Sequence, residues 1–164
     1  MKRNFKYLFA FLLAFLPAAG QTEEISRGKV GAWEVRCQSS GGNQPEQCVL
    51  AQTVRSEDKA GVNMAMIITR PAGAPTMIMR IVAPPGVFLL NGVGMKIDQT
   101  DMGRLPFFRC SPAGCIADAP LDDKLLDDLR NGKIATVVIY LEPGEGLRHL
   151  VRLEGLKEAL QKLR

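Results

Sequence analysis

Four cysteines, one histidine and two Met-x-Met pairs are the residues of this 164-residue chain whose types and spacing could support chemistry. Cys37 and Cys48 stand at the ends of consecutive apolar runs, separated by Ser39-Ser40-Gly41-Gly42-Asn43-Gln44-Pro45. Cys110 and Cys115 flank Ser111-Pro112-Ala113-Gly114 in the same way. Each pair would sit at the neck of a hairpin, where facing Cβ atoms approach to about 4.5 to 5.5 Å and a disulfide can close. A bridge over a loop of this size contributes about 2 to 3 kcal/mol. The rival chemistry is a zinc site or a redox pair. Finger-type zinc sites place ligands two to four residues apart in both halves, and the Cys37 to Cys48 interval is too long for that. Neither pair is a Cys-x-x-Cys. Structural disulfides are therefore expected.

Met64-Ala65-Met66 and Met77-Ile78-Met79 lie on consecutive expected strands, and side chains two apart on a strand share a face. If Met66 opposes Met79, four thioethers cluster and could hold Cu(I). The competing reading is that flexible methionines fill gaps in a core poor in aromatics. His149 falls on an expected strand and reads as a packed residue rather than a catalyst. Ser26, Ser39, Ser40, Ser56 and Ser111 lie in expected turns or the leader, with no motif that would activate a hydroxyl. Asp122, Asp123, Asp127 and Asp128 read as the solvated side of a helix, and Asp98 to Gly103 as a turn rather than a calcium loop. The Pro- and Gly-rich stretch Ala83 to Gly94 encloses the apolar run Val87-Phe88-Leu89-Leu90. That run either folds inward as a bent strand or forms an exposed partner loop.

The elements that must position these residues are mostly strands. Val30–Cys37, Cys48–Arg55, Val62–Thr69, Thr76–Val82, Met95–Asp98, Leu105–Cys110, Ile134–Leu141 and Leu147–Leu153 are short apolar runs parted by turn-forming residues, the spacing of an all-β sandwich. Leu121, Leu125 and Leu129 recur at four-residue intervals and predict a short helix over Leu121–Arg130. Acidic residues lie at its start, and Asn131-Gly132 offers a left-handed exit. Leu156, Leu160 and Leu163 predict a second helix, Leu156–Arg164, across an open end of the sandwich.

The N-terminus predicts export. Lys2, Arg3 and Lys6 precede the uncharged, largely apolar run Tyr7–Leu16 and then Pro17-Ala18-Ala19-Gly20, the three-part layout of a signal peptide over residues 1–20. Ten residues are too few to span a bilayer, and no transmembrane span is expected in the mature chain. Removing that segment turns 21 basic against 17 acidic residues into 18 against 17, so the sequence pI of about 9.0 overstates the basicity of the working domain. No basic patch with interleaved aromatics is apparent, which argues against nucleic acid as a partner. Residues 21–29 read as a flexible leader and 30–164 as one domain.

The ordered set Gly31-Ala32-Trp33-Glu34-Val35-Arg36-Cys37, Cys48, Pro85-Gly86-Val87, Lys96-Ile97-Asp98, Pro106-Phe107-Phe108-Arg109-Cys110, Gly114-Cys115 and the Val151–Leu160 ending resembles the bacterial invasion-associated locus B proteins. The resemblance implies an immunoglobulin-like β-sandwich exported to the periplasm or cell envelope. The expectation is a non-enzymatic, disulfide-stabilised protein, periplasmic or secreted, that binds an envelope or host protein and needs no cofactor. A periplasmic copper protein using the Met pairs is the alternative, and an envelope hydrolase built on His149 or paired carboxylates is a third reading.

Overall fold

The computed structural model describes residues 23–39 and 46–163. Eleven strands run through them: β1 (Glu23–Val30), β2 (Trp33–Ser39), β3 (Gln47–Arg55), β4 (Asn63–Thr69), β5 (Ile78–Ala83), β6 (Val93–Ile97), β7 (Thr100–Leu105), β8 (Arg109–Ser111), β9 (Gly114–Pro120), β10 (Ile134–Glu142) and β11 (Glu145–Arg152). Two helices, α1 (Asp123–Asn131) and α2 (Leu156–Ala159), complete the fold. One antiparallel sheet has the order β1-β2-β3-β4-β5-β9-β8 and the other β11-β10-β6-β7. This is the expected all-β sandwich with two short helices.

Strand alternation builds the core, because each strand turns every second side chain inward. Val35, Leu50, Ile68, Met79 and Ala119 stand in register across β2, β3, β4, β5 and β9, and all are buried. The facing sheet contributes the rows Ile97, Ala135, Val151 and Met95, Val137, His149. Trp33 is fully buried at the start of β2. Where aromatics are scarce, the four methionines take up the volume: Met64, Met66, Met77 and Met79 all belong to the core.

Several elements differ from those expected of the sequence. β1, Glu23–Val30, takes up most of the 21–29 segment expected as a flexible leader and pairs with β2 through a register shift between Ser26 and Lys29. The 1–20 signal segment lies outside the described residues. The run expected as one strand over Leu105–Cys110 is interrupted, since Leu105 ends β7 and Arg109 opens β8 in the other sheet. β9 is implied only as the second arm of the Cys110–Cys115 hairpin, and its course to Pro120 has no counterpart among the expected strands, because its inward residues Ala117 and Ala119 are small and weak strand formers. Met66 stands opposite Ile81 and Met79 opposite Ile68, a register two residues away from the Met66–Met79 pairing.

Helix α1 begins as its sequence requires, with the Asp122 carboxylate accepting the Leu125 amide at 2.7 Å and capping one of the free first-turn donors. Its exit differs from the expectation. Gly132 is extended, at φ −72°, and is glycine because a Cβ there would collide with Ile97 and the Asp128 carbonyl. α2 packs against β1, β2 and α1 and buries Leu156, Leu160 and Leu163 with the residues that follow it. The Ala32 amide donates to the Glu154 carbonyl at 3.1 Å, and Gly31, at φ +58°, leaves no room there for a Cβ. The C-terminal segment is thus tied to the first hairpin.

The two sheets join along one corner. Ser56, just past β3, bridges to His149 of β11. The Gln52 side chain donates Nε2 to the Arg152 carbonyl at 2.8 Å and accepts the Arg152 amide at 3.0 Å. Removing this amide leaves a half-buried donor and acceptor unpaired, a loss of about 1 to 3 kcal/mol. Gln52→Ala is expected to lower the unfolding free energy by that amount in urea titration, with the m-value unchanged.

Candidate functional site

The residues that could do chemistry are spread through the fold rather than gathered in one place. Both cysteine pairs are bridged, Cys37 to Cys48 and Cys110 to Cys115, and each stands at directly opposed positions of its hairpin. Cys37, Glu46 and Cys48 bring a ligand atom each within 4.8 Å of one another, but both sulfurs are consumed in the bridge and Glu46 accepts from Arg27 at 2.6 Å. The four methionines are buried among aliphatic side chains, so the copper reading finds no support in the arrangement.

His149 is fully buried. Its Nδ1 lies 3.1 Å from the Leu147 carbonyl, and its Nε2 has no partner. Ser56 and Asp58 come near it in the chain trace, yet no relay links the three. The Ser56 hydroxyl accepts the Asp58 and Lys59 amides at 3.1 and 3.2 Å. The Asp58 carboxylate accepts the Arg148 amide at 2.7 Å and its Nη2 at 2.6 Å. Asp98, Asp127 and Asp128 line a cavity of about 250 Å³, and each is engaged structurally. Asp98 accepts the Lys133 and Ile134 amides, Asp127 pairs with Arg130 at 3.4 Å and Asp128 with Lys124 at 2.7 Å.

The Val87–Leu90 run divides between the two expectations. Val87 is buried; the Phe88 amide donates to the Tyr140 carbonyl at 2.6 Å and so holds the segment on β10. Leu89–Asn91 then makes a 3-10 turn closed by the Gly92 amide on the Leu89 carbonyl, which leaves Leu89 49% and Leu90 89% exposed. Gly92 packs on Leu105 and Pro106, so the segment that carries Phe108, 58% exposed, starts at the same end of the sandwich. Arg109 lies over the Phe108 ring, 5.9 Å from its centroid. Of the four candidate loop residues, Leu89 and Leu90 are exposed, Phe88 is half-buried and Val87 is buried. Phe108 is exposed as well, on the connection between β7 and β8 that begins beside Gly92.

A groove of about 680 Å³ runs between the outer faces of the two sheets, lined by Lys29, Arg36, Glu57, Leu150 and Arg152 among others. Leu150, 39% exposed, interrupts the polar side of β11.

The family model described as the invasion associated locus B (IalB) protein matches residues 33–164, from the first buried residue of β2 to the C-terminus. The chain belongs to that family. Two invasion protein B homologues of Brucella abortus, one from strain 2308 and one from biovar 1 strain 9-941, are each 28% identical over 132 residues, 80% of this chain and 75% of theirs. The crystal structure of invasion associated protein b from Bartonella henselae superposes with a TM-score of 0.64 at 24% identity, covering 87% of this chain and 95% of that one. It shares the fold of this family member.

Burial lowers the His149 pKa below its ordinary value of 6.5, against weaker opposing contributions from backbone hydrogen bonds and the Asp58 charge. Hydrogen bonds from the Arg148 side chain and backbone hold the Asp58 carboxyl at about 2. Both shifts are depressions. The His149 contribution is therefore complete above pH 6.5 and is lost as pH falls through its folded value, whereas that of Asp58 is complete above its ordinary value of 3.8 and is lost as pH falls toward about 2. Denaturant titrations are expected to show stability falling from pH 6.5 downward, and His149→Leu is expected to flatten that first decline while leaving the one below pH 4.

Proposed function

We propose that this chain is an exported, non-enzymatic envelope protein that holds a protein partner through the apolar end formed by Leu89, Leu90 and Phe108. Export follows from the signal-like N-terminus, and the two disulfides suit an oxidising compartment such as the periplasm or the cell surface. Among the described residues no helix is long and apolar enough to cross a membrane. The names of these relatives refer to invasion, which extends the reading to contact with a host cell.

The observation that carries the proposal is the exposure of Leu90, 89%, on a turn whose backbone is already hydrogen-bonded to β10 and to itself. A side chain held rigidly outward costs little ordering entropy when a partner covers it, and a leucine buried in this way contributes about 1.5 to 3 kcal/mol. Sparse single apolar residues need no explanation, whereas apolar side chains gathered at one end mark an interaction surface.

A photo-crosslinking side chain at position 90, in cells that export the full chain, is expected to give a discrete adduct that is absent with the probe at Glu158. Leu89→Ser combined with Leu90→Ser is expected to abolish that partner's capture by the remaining Phe108 end. The same pair of changes should shift stability by no more than about 0.5 kcal/mol, as exposed substitutions do. Equal labelling from both positions would contradict the reading.

A further inference from the structure

Both sheets carry cations on their outer faces, and on the larger one Arg55 and Arg109 are exposed without a carboxylate partner among the described residues while others are paired. On the larger sheet, Arg36 meets Glu34 at 2.9 Å, and Arg80 holds Asp118 through two hydrogen bonds of 2.8 and 2.7 Å. On the smaller sheet the registers turn Arg148, Leu150 and Arg152 of β11, Val138 and Tyr140 of β10, Lys96 of β6 and Arg104 of β7 outward together. Four cations share this face. Among the described residues only Arg148 meets a carboxylate, that of Asp58. Lys96 stands across from Asp101, whose carboxylate is turned to the Gly103 amide at 2.8 Å. Arg104 donates to the Asn91 carbonyl at 2.8 Å and lies over Tyr140, 5.3 Å from the ring centroid. Glu142 and Glu145 are confined to the turn end of the β10–β11 hairpin, and Glu57 stands at the outer edge of β11, in the groove it shares with Leu150 and Arg152.

The spacing of these charges says what they suit. Arg148, Val138, Gly94 and Arg104 form one row across four strands, about 14 Å at the usual strand separation. Lys96 lies two residues further along and Arg152 four, about 7 and 13 Å. Such charges do not converge on a cavity, as a site for a single small anion would require. The floor between them is low, because Gly94 and Gly146 flank Val138, and Gly146 lies so close to Val138 and Tyr140 that a Cβ would press on both. Three of the four cations are arginines, whose planar forks match two-oxygen acceptors such as sulfate and carboxylate. Single-stranded nucleic acid would need free aromatic platforms for its bases, and Tyr140, the one aromatic on these outward rows, is covered by Arg104.

We propose that the outer face of the β11-β10-β6-β7 sheet binds an acidic polysaccharide, a linear chain bearing sulfate and carboxylate groups, with Lys96, Arg104 and Arg152 as the principal contacts. This face adjoins the apolar end, since Arg104 donates to the Asn91 carbonyl at the close of the Leu89–Asn91 turn, but its contacts are charged side chains and not Leu89, Leu90 or Phe108.

Heparin is the probe, titrated against the full chain by calorimetry over a series of salt concentrations. Binding is expected to weaken with salt as the release of about three to four counterions dictates, and neutral dextran is expected not to bind. Lys96→Ala with Arg104→Ala and Arg152→Ala should weaken heparin binding at least tenfold and flatten the salt dependence. Arg80→Ala with Asp118→Ala, on the opposite face, should leave it unchanged, as should the Leu89→Ser, Leu90→Ser pair. If the triple variant fails to fold, Lys96→Gln with Arg152→Gln serves in its place and should weaken binding several-fold. Unchanged affinity in a folded variant overturns the proposal. So does tighter binding to single-stranded DNA, or to vesicles rich in anionic phospholipid, at matched charge.

Discussion

The free edge of β11 is the constraint on which the rest of the structure depends. An edge strand presents unpaired amides and carbonyls that must be covered, charged or paired. Here no neighbouring strand does so along the whole length. Side chains from residues about 90 to 100 positions earlier stand in: the Gln52 amide meets both backbone groups of Arg152, and the Asp58 carboxylate takes the Arg148 amide. The Glu57 amide reaches the Arg148 carbonyl at 2.9 Å, and Ser56 bridges to His149. The β3–β4 connection therefore completes the second sheet and pins it to the first.

Two consequences follow from the closure. It seals His149 into the core, where burial favours the neutral imidazole. It also sets the outward phase of β11, so that Arg148, Leu150 and Arg152 line up beside Lys96 and Arg104. The apolar end depends on a separate device, the hydrogen bond that fastens Phe88 to β10 while the next three residues turn outward. The molecule thus offers two unlike surfaces on one rigid frame, one apolar and one cationic, with a disulfide at the neck of a hairpin on each side of the larger sheet.

Much of this frame was readable from local residue patterns. Trp33-Glu34-Val35-Arg36-Cys37 and Leu147-Arg148-His149-Leu150-Val151 alternate plainly enough to assign a strand and its inward face. Both cysteine pairs announce their hairpins by spacing alone. β9 escaped because Ala117 and Ala119 carry little hydrophobic signal, and β1 because Glu23-Glu24-Ile25-Ser26 has no alternation that outlasts a few residues. The methionine register could not be read either, since both registers, two residues apart, put the same side chains inward. Gln52 and Asp58 look like ordinary polar residues of a strand and a turn. Their role exists only once a strand from the far end of the chain arrives beside them, and that information is long-range.

Native-state hydrogen exchange tests the closure most directly, because the amides of Arg148 and Arg152 donate to side chains rather than to a neighbouring strand. If the corner is an integral part of the sandwich, both amides exchange only through global unfolding, with the same protection free energy as Val137 and Ile139 in the centre of β10. If they exchange far faster than those two, as amides of an open edge do, the corner is a loose surface contact and the account of how the two sheets are held is wrong.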